Sequence, residues 1–183
     1  NEEWEAVGGY HLQDSARIAF SDNPIYWHPT LGWPVKDING NNIILSDQDS
    51  YCVFNDSNNT ISILGIQIAQ TGYAYGVNFA KDILFFKYEI TNHGSQDYEN
   101  FYFSLYVDMD IGDNEGGVAE YDDDKLDFIK EQNLVYFFDD GLSSEWPGGK
   151  TGFMGMKFLK TPEINGVEAG ITDLHYNIYD DDL

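Results

Sequence analysis

The sequence predicts an all-β protein, an antiparallel β-sandwich of the jelly-roll or Ig-like kind with little helix. Short runs of alternating apolar and polar residues recur along the chain and are separated by turn residues. Tyr (13) and Phe (12) dominate the large side chains, and Gly (18) far outnumbers Pro (5), which is typical of strands joined by many turns. No segment shows convincing 3.6-residue periodicity. Many short strands with turns between them are the pattern of a sandwich.

Individual strands follow from these runs. The segment "NIILSDQDSYCVFND" predicts two short strands with a polar turn over residues 46–49. In "TISILGIQIAQTGYAYG" both faces are largely apolar, as in a strand covered on both sides. The segments "NLVYFFDD" and "TGFMGMKFLK" predict two further strands.

The clearest pattern is a long antiparallel hairpin in "DILFFKYEITNHGSQDYENFYFSLYVDMD". Two period-2 runs flank the Gly-containing loop "NHGSQ", which is the arrangement of strands paired across a turn. One face of the first run is apolar, and one face of the second run is apolar too. These positions are Leu84, Phe86, Tyr88 and Ile90, and then Phe101, Phe103, Leu105 and Val107.

The remaining chain carries weaker signals. Residues 1–45, rich in Gly, Pro and Trp, are predicted to form an irregular N-terminal segment that wraps the sandwich, and residues 46–183 form the sandwich domain. The segment "DDDKLDFIKEQN" predicts about one turn of helix after its acidic start. The opening "NEEWEAVGGYH" lacks an initiator Met and a signal peptide, so we expect a fragment of a longer, processed protein.

The net charge of −23 restricts the partners. Nucleic acid and anionic membrane surfaces require a basic footprint, so both are predicted not to bind. No apolar run approaches the ~20 residues of a membrane-spanning helix, and insertion into a membrane is not predicted. Hydrophobic residues make up 42% and aromatic residues 16% of the chain, which excludes a disordered acidic tail. The single cysteine, Cys52, forms no internal disulfide and is predicted to be buried.

Negative charge concentrates in "SLYVDMDIGDNEGGVAEYDDDK". Alternation places Asp108 and Asp110 on one side of a strand end, and Gly112 permits a turn that returns Asp113 towards them. Asp124 follows after a loop long enough to fold back. Converging carboxylates in a flexible loop suit Ca²⁺, which takes six to eight oxygen ligands. The predicted metal ligands are therefore Asp108, Asp110, Asp113 and Asp124, and Asp139 and Asp140 could reach the same edge.

A solvated acidic loop that aids solubility is the alternative interpretation of this segment. The spacing differs from that of an EF-hand, whose Gly follows the third acidic position. No cluster of His or Cys accompanies the acids, so zinc, copper and iron are not predicted.

The turn-borne tryptophans suggest a different function, carbohydrate binding. Trp27, Trp33 and Trp146 lie in "PIYWHPTLGWP" and "SSEWPGG" rather than in strands. Exposed indoles could stack on sugar rings; the alternative is that they close the open ends of the sandwich. Two sequons, Asn55-Asp56-Ser57 and Asn58-Asn59-Thr60, occupy a loop where glycosylation could occur.

Enzymatic activity is not predicted. The four histidines are scattered, and no G-x-S-x-G, H-E-x-x-H or phosphate-binding Gly loop is present. A fragment of a secreted hydrolase is the third hypothesis, after a calcium-binding structural module and a carbohydrate-binding module.

Several blocks resemble one group of proteins. "SLYVDMDIGD" and "ITDLHY" are the most specific, and together with "LSDQDSYCVFND", "LGIQIAQTGYAYG" and "LVYFFDDG" they are similar, in the same order, to blocks of large secreted bacterial proteins that often carry a C-terminal sorting tag. The resemblance covers residues 34–183. It implies an extracellular or cell-surface location in bacteria and no established activity. Met109 stands where the family's "DPDLGD"-like turn has proline, which leaves the acids in place and makes the turn less rigid.

Composition, acidic turn and resemblance together predict a secreted, non-enzymatic calcium-binding β-sandwich. Its role would be structural, adhesive or in surface assembly, with glycans or other surface proteins as partners. Exposed strand edges would permit self-association by strand addition.

Overall fold

The structure, a computed structural model, describes residues 18–57, 59, 61–112, 124–139, 143 and 146–175. These residues form nine strands and three short 3₁₀ turns, so the all-β prediction is confirmed. The strands are β1 (Ala19–Phe20), β2 (Gln48–Asn55), β3 (Ile66–Ala74), β4 (Leu84–Asn92), β5 (Asp124–Ile129), β6 (Leu134–Asp139), β7 (Phe153–Lys157), β8 (Glu163–Ile164) and β9 (Val167–Glu168). The 3₁₀ turns are Pro24–Tyr26, Lys130–Gln132 and Pro147–Gly149.

The chain divides into two compact units, Asn1–Phe101 and Tyr102–Leu183. The first unit contains a four-stranded antiparallel sheet in the order β1-β2-β3-β4. The second contains a three-stranded antiparallel sheet, β5-β6-β7, and the small hairpin β8-β9. The sandwich arrangement and the predicted division at residue 45 stay predictions. Among the described residues, no helix has both the length and the apolar character needed to cross a membrane.

A pair of tryptophans packs on one face of the first sheet. Trp33 and Ala19 are fully buried, and Trp27, Val35 and Tyr51 pack against them. The Trp33 indole donates a hydrogen bond to the Ile43 carbonyl (2.9 Å), and its ring centroid lies 5.8 Å from that of Trp27. Irregular chain between β1 and β2 is thereby held against the sheet through apolar burial and satisfied indole N–H groups.

The start of β3 differs from the prediction because of a buried carboxylate. Asp56 is 2% exposed and accepts hydrogen bonds from the backbone N–H groups of Leu64, Gly65 and Ile66. Gly65 has a φ of +76°, outside the extended region. The ladder with β2 therefore begins at Ile66, although the apolar alternation begins at Ile61.

The two strands predicted around residues 46–49 are a single strand, β2. Asp49, also 2% exposed, accepts hydrogen bonds from Leu45 N, Ser46 N and Ser46 Oγ. Its own N–H donates to Ser21 Oγ at 2.8 Å. These bonds turn the chain just before the strand, so residues 43–45 do not extend it.

The first arm of the predicted hairpin is confirmed as β4, but the second arm is wrong. β4 pairs with β3, and residues 101–110 form no strand. Their burial nevertheless alternates, with Phe103, Leu105 and Val107 less exposed than their neighbours. Period-2 alternation reports side-chain burial of an extended chain and does not by itself require a hydrogen-bonded partner.

The predicted helical turn in "DDDKLDFIKEQN" is wrong. Residues 124–129 form β5, which pairs with β6 over its whole length from Asp124–Asp139 to Ile129–Leu134. Leu126 and Phe128 alternate with charged residues and face the same side as the buried Val135. Only Lys130–Gln132 turn helically, as a 3₁₀ turn. Pairing with an apolar strand outweighs a weak helix preference.

The hairpin β8-β9 was not predicted. Asn165 and Gly166 both have positive φ (54° and 79°), and they connect Ile164 to Val167. The dipeptide Asn-Gly between two β-branched residues is the sequence signal that identifies this turn.

Candidate functional site

The acidic segment approaches its turn in an extended conformation. Val107 and Met109 are half-buried and Ile111 is 8% exposed, whereas Asp108 and Asp110 between them are exposed. The two carboxylates therefore lie on the outward side of the segment. Apolar burial of the intervening residues holds that orientation.

The segment ends against the beginning of β5 and the end of β6. Ile111 N donates a hydrogen bond to Asp124 Oδ2 at 3.1 Å. Gly112 has a φ of +112°, and a Cβ placed there would lie 2.8 Å from Asp139 Oδ2. The backbone at residues 111–112 therefore contacts two carboxylates, and glycine is required both for the conformation and for the close approach.

These two carboxylates are direct cross-strand partners. Asp124 pairs with Asp139 in the register of β5 and β6, and both residues are half-buried. Residues opposite each other on antiparallel strands have Cβ atoms about 4.5–5.5 Å apart, and like charges there are destabilising. The hydrogen bond from Ile111 N offsets part of that repulsion. We call Asp124, Asp139 and the Ile111–Gly112 backbone the acidic junction.

The structure brings together one predicted ligand and one residue named only as reaching the same edge. Asp124 and Asp139 meet in the acidic junction, Asp108 and Asp110 are exposed on the segment leading to it, and Asp113 lies outside the described residues, as does Asp140. Within the described parts of the chain, three or more His, Cys, Asp or Glu side chains do not converge in a metal-binding arrangement. The signal for Asp139 was its position at the end of an apolar strand.

Chemically, the acidic junction offers hard oxygen donors. Two carboxylates can present up to four oxygens, and Ca²⁺ completes a shell of six to eight with carbonyls and water. Ca²⁺ accepts irregular arrangements of such oxygens, whereas Mg²⁺ requires near-ideal octahedral coordination.

Two other carboxylates, Asp49 and Asp56, were not singled out from the sequence. Both are buried, and their oxygens accept hydrogen bonds from backbone N–H groups of adjacent loops. Their role is to close these loops. Each carboxylate accepts hydrogen bonds from backbone N–H groups that lie beyond the end of a strand and have no partner in the sheet. Each is followed by serine, a local signal for such side-chain-to-backbone turns.

The tryptophans proposed to bind glycans occupy different environments. Trp33 is 0% exposed, so it has no ring face available to a sugar. Trp27 is half-buried, and its indole donates to the Phe20 carbonyl at 2.7 Å. Trp146 is 43% exposed at the start of a 3₁₀ turn.

One face of the second sheet carries an aromatic cluster that sequence reasoning missed. The rings of Tyr136, Phe138 and Phe153 lie 5.6–6.2 Å apart, and Phe153 is 74% exposed. Tyr136 Oη donates to Asp127 Oδ2 at 2.8 Å, which lowers the pKa of Asp127 and raises that of Tyr136. Tyr136 and Phe138 are two residues apart in "LVYFFDD", the spacing that places side chains on one face.

The described histidines have structural or surface positions. His28 Nδ1 accepts hydrogen bonds from Thr30 N and Leu31 N, which closes a tight turn. His175 Nε2 lies 3.0 Å from Asp173 Oδ2, with both side chains exposed. His93 is exposed beside the loop that follows β4.

No protein-family model, curated protein or solved structure matches this chain. The fold and the acidic junction define it as an all-β protein with a concentrated acidic surface. The resemblance to sorted bacterial surface proteins stays a prediction.

Proposed function

We propose that this chain is a non-enzymatic, extracellular calcium-binding β-module with a structural, adhesive or surface-assembly role. The observation that supports the proposal most directly is the acidic junction, where Asp124 and Asp139 are cross-strand partners against the Ile111–Gly112 backbone. The resemblance to secreted bacterial proteins supports the location.

The physical basis is charge compensation. The chain has 32 acidic and only 9 basic residues, so negative charge is in excess over the whole molecule. A divalent cation between the carboxylates would convert their repulsion into attraction. Asp108 and Asp110 would extend the shell from the segment that leads into the junction.

A modest affinity is sufficient for the proposed role. Extracellular calcium modules have dissociation constants of roughly 10⁻⁴–10⁻³ M. Binding to the folded state alone at ~100 times the dissociation constant adds about 2.7 kcal/mol of stability. Calcium would therefore hold the acidic segment against β5 and β6 and reduce the negative charge of the surface.

Thermal unfolding tests this function. We would measure the midpoint of the purified chain in chelator, in millimolar Ca²⁺ and in millimolar Mg²⁺, all at one ionic strength. Wild type should show a Ca²⁺-selective rise. Asp124→Asn with Asp139→Asn should abolish that rise, because the neutral amides no longer offer charged oxygen ligands to the cation.

The matched control is Asp82→Asn with Asp97→Asn, which removes the same two charges from exposed sites in the first unit. It should keep the full Ca²⁺ response. Equal responses to Ca²⁺ and Mg²⁺, or a Ca²⁺ response that survives in Asp124→Asn with Asp139→Asn, would make the segment a solvated acidic loop.

A carbohydrate-binding function is the second candidate, and the exposure of Trp146 favours it. The indole lies against Gly152, whose Cβ position would be 3.5 Å from the ring. Because 43% of the side chain is exposed, the indole has surface available to stack on a sugar ring. A polysaccharide pull-down that is lost on Trp146→Ala and kept on Trp27→Ala would support this function; retention in both variants would contradict it.

A further inference from the structure

A depression of about 340 Å³ lies on the face of the first sheet that Trp33 covers. Its lining includes Tyr51 and Gln67, from β2 and β3, and Leu31 and Pro34, from the chain between β1 and β2. Tyr51 and Gln67 share a face because Gln67 is paired with Asn55, four residues along β2 from Tyr51. The volume is at the lower end of the roughly 300–1,000 Å³ typical of ligand sites, which suits a single ring.

Two residues that line this pocket are held in place by packing. Trp33 is fully buried and Val53 is 7% exposed. The Trp33 indole is fixed by its hydrogen bond to the Ile43 carbonyl and by its contact with Trp27. Side chains that are already held by packing and a hydrogen bond lose little conformational entropy when a ligand binds, which favours affinity.

The pocket has a charge opposite to that of the protein. Among its lining residues in the described chain, Lys36 is the one charged side chain. Lys36 Nζ donates to the neutral Asn42 Oδ1 at 2.8 Å, whereas Lys87 Nζ is paired with Glu89 at 3.0 Å. An ammonium group has three donors, so the bond to Asn42 orients Lys36 without neutralising it.

The acidic neighbour of Lys36 directs its carboxylate into its own loop. Asp37 Oδ1 accepts from Asn39 N and Asn41 N, both at 2.8 Å, and Oδ2 accepts from Asn41 Nδ2 at 2.9 Å. These bonds, with that of the Asn41 side chain first, lower the pKa of Asp37. The loop thus presents Lys36 to the pocket while the adjacent carboxylate is occupied.

From this geometry we propose that the pocket binds a small organic acid, a carboxylate carried on a compact ring. The ring would lie against Tyr51 and Pro34, and the carboxylate would accept from Lys36. The Gln67 amide both donates and accepts, so it suits a hydroxyl or a carboxylate on the ring edge. A uronic sugar and an aromatic acid share this chemistry. The pocket lies in the first unit and is independent of the acidic junction.

The experiment is an NMR titration of the full ¹⁵N-labelled chain in chelator with two acids and their neutral counterparts. The probes are glucuronate against glucose, and phenylacetate against phenylacetamide. A dissociation constant of roughly a millimolar is expected, because such ligands have only about a dozen heavy atoms. The shifted amides should be those of Leu31, Lys36, Tyr51 and Gln67. Preference for glucuronate would identify a sugar acid, and preference for phenylacetate an aromatic acid.

Lys36→Met should weaken binding of the acid by about tenfold, because one charge-assisted hydrogen bond is lost. Lys81→Met, which removes the same charge from an exposed turn, should leave binding unchanged. Gln67→Ala should also reduce affinity for the same acid. It provides a second test of the pocket if Lys36→Met fails to fold. Equal binding of acids and neutral counterparts, equal loss in both Lys variants, or no binding of either acid would overturn the proposal.

Discussion

At the scale of single residues, Cys52 is the clearest case of an environment that changes chemistry. It lies on β2 and is 4% exposed. Burial raises the pKa of its thiol from 9.0 to about 11, because the thiolate loses solvation that the interior does not replace. As the one cysteine in the chain, it also permits a clean measurement.

The Cys52 pKa predicts a loss of stability in alkali. A group whose pKa is raised on folding contributes its full stabilisation below the unfolded value and loses it as the pH rises through the folded value. The free energy of unfolding should therefore fall between pH 9 and pH 11 by up to about 2 kcal/mol. Urea denaturation across this range measures the effect.

Cys52→Ala is the control for this measurement. The variant starts from a lower stability because a buried side chain is shortened, and its decline between pH 9 and 11 should be shallower than that of wild type. Other groups contribute to the decline in both proteins; Tyr88 differs, because its pKa is raised first by burial and then by the charge on Cys52. Parallel declines would show that the thiol does not contribute.

At the scale of elements, the loops before β3 and after β4 meet backbone to backbone. A Cβ on Gly65 would lie 2.8 Å from Gly94 N and 2.9 Å from Gly94 Cα. His93 N donates to the Gly65 carbonyl at 2.7 Å, continuing the ladder of the two strands beyond their ends. Gly65 also has positive φ and donates to Asp56. Four constraints thus coincide at one glycine.

We predict that Gly65→Ala destabilises the protein by about 2–4 kcal/mol, from positive-φ strain together with a clash between backbones. Gly40→Ala is the matched control, since Gly40 has φ +84° and open space around its Cβ position. It should cost only about 1 kcal/mol. Urea midpoints at constant m-value measure the loss of stability in both variants. Equal losses would show that the close approach of Gly65 to Gly94 does not contribute.

At the scale of the whole molecule, the dominant physical feature is a net charge of −23. Self-repulsion on this scale opposes the compact state. Apolar burial, as at Trp33 and Ala19, and the backbone hydrogen bonds that the buried Asp56 accepts act against this repulsion. Added salt should therefore screen the repulsion between the acidic residues and stabilise the folded state.

We predict that the unfolding midpoint rises when NaCl is increased from ~10 mM to ~150 mM, because the Debye length falls from about 30 Å to about 8 Å. Chelator in every sample keeps divalent ions from contributing. Matched sucrose samples, which carry no ions, provide the control for non-ionic effects. A midpoint that falls with NaCl would show that attractive ion pairs outweigh the repulsion.

The sequence by itself determined the all-β class and the strands β4, β6 and β7, because alternation and turn residues are local properties of the chain. It also identified the acidic segment and the turn at Gly112. The aromatic content indicated a packed interior, and Trp33 is fully buried.

Only the tertiary structure decided which segments have partners. The stretch over residues 124–129 became a strand through pairing with β6, while residues 101–110 alternate without forming one. That pairing also set Asp124 opposite Asp139. In the first unit, packing of the chain between β1 and β2 against the sheet placed Lys36 beside Tyr51 and Gln67. These outcomes depend on contacts between residues distant in sequence, and local periodicity carries no information about them.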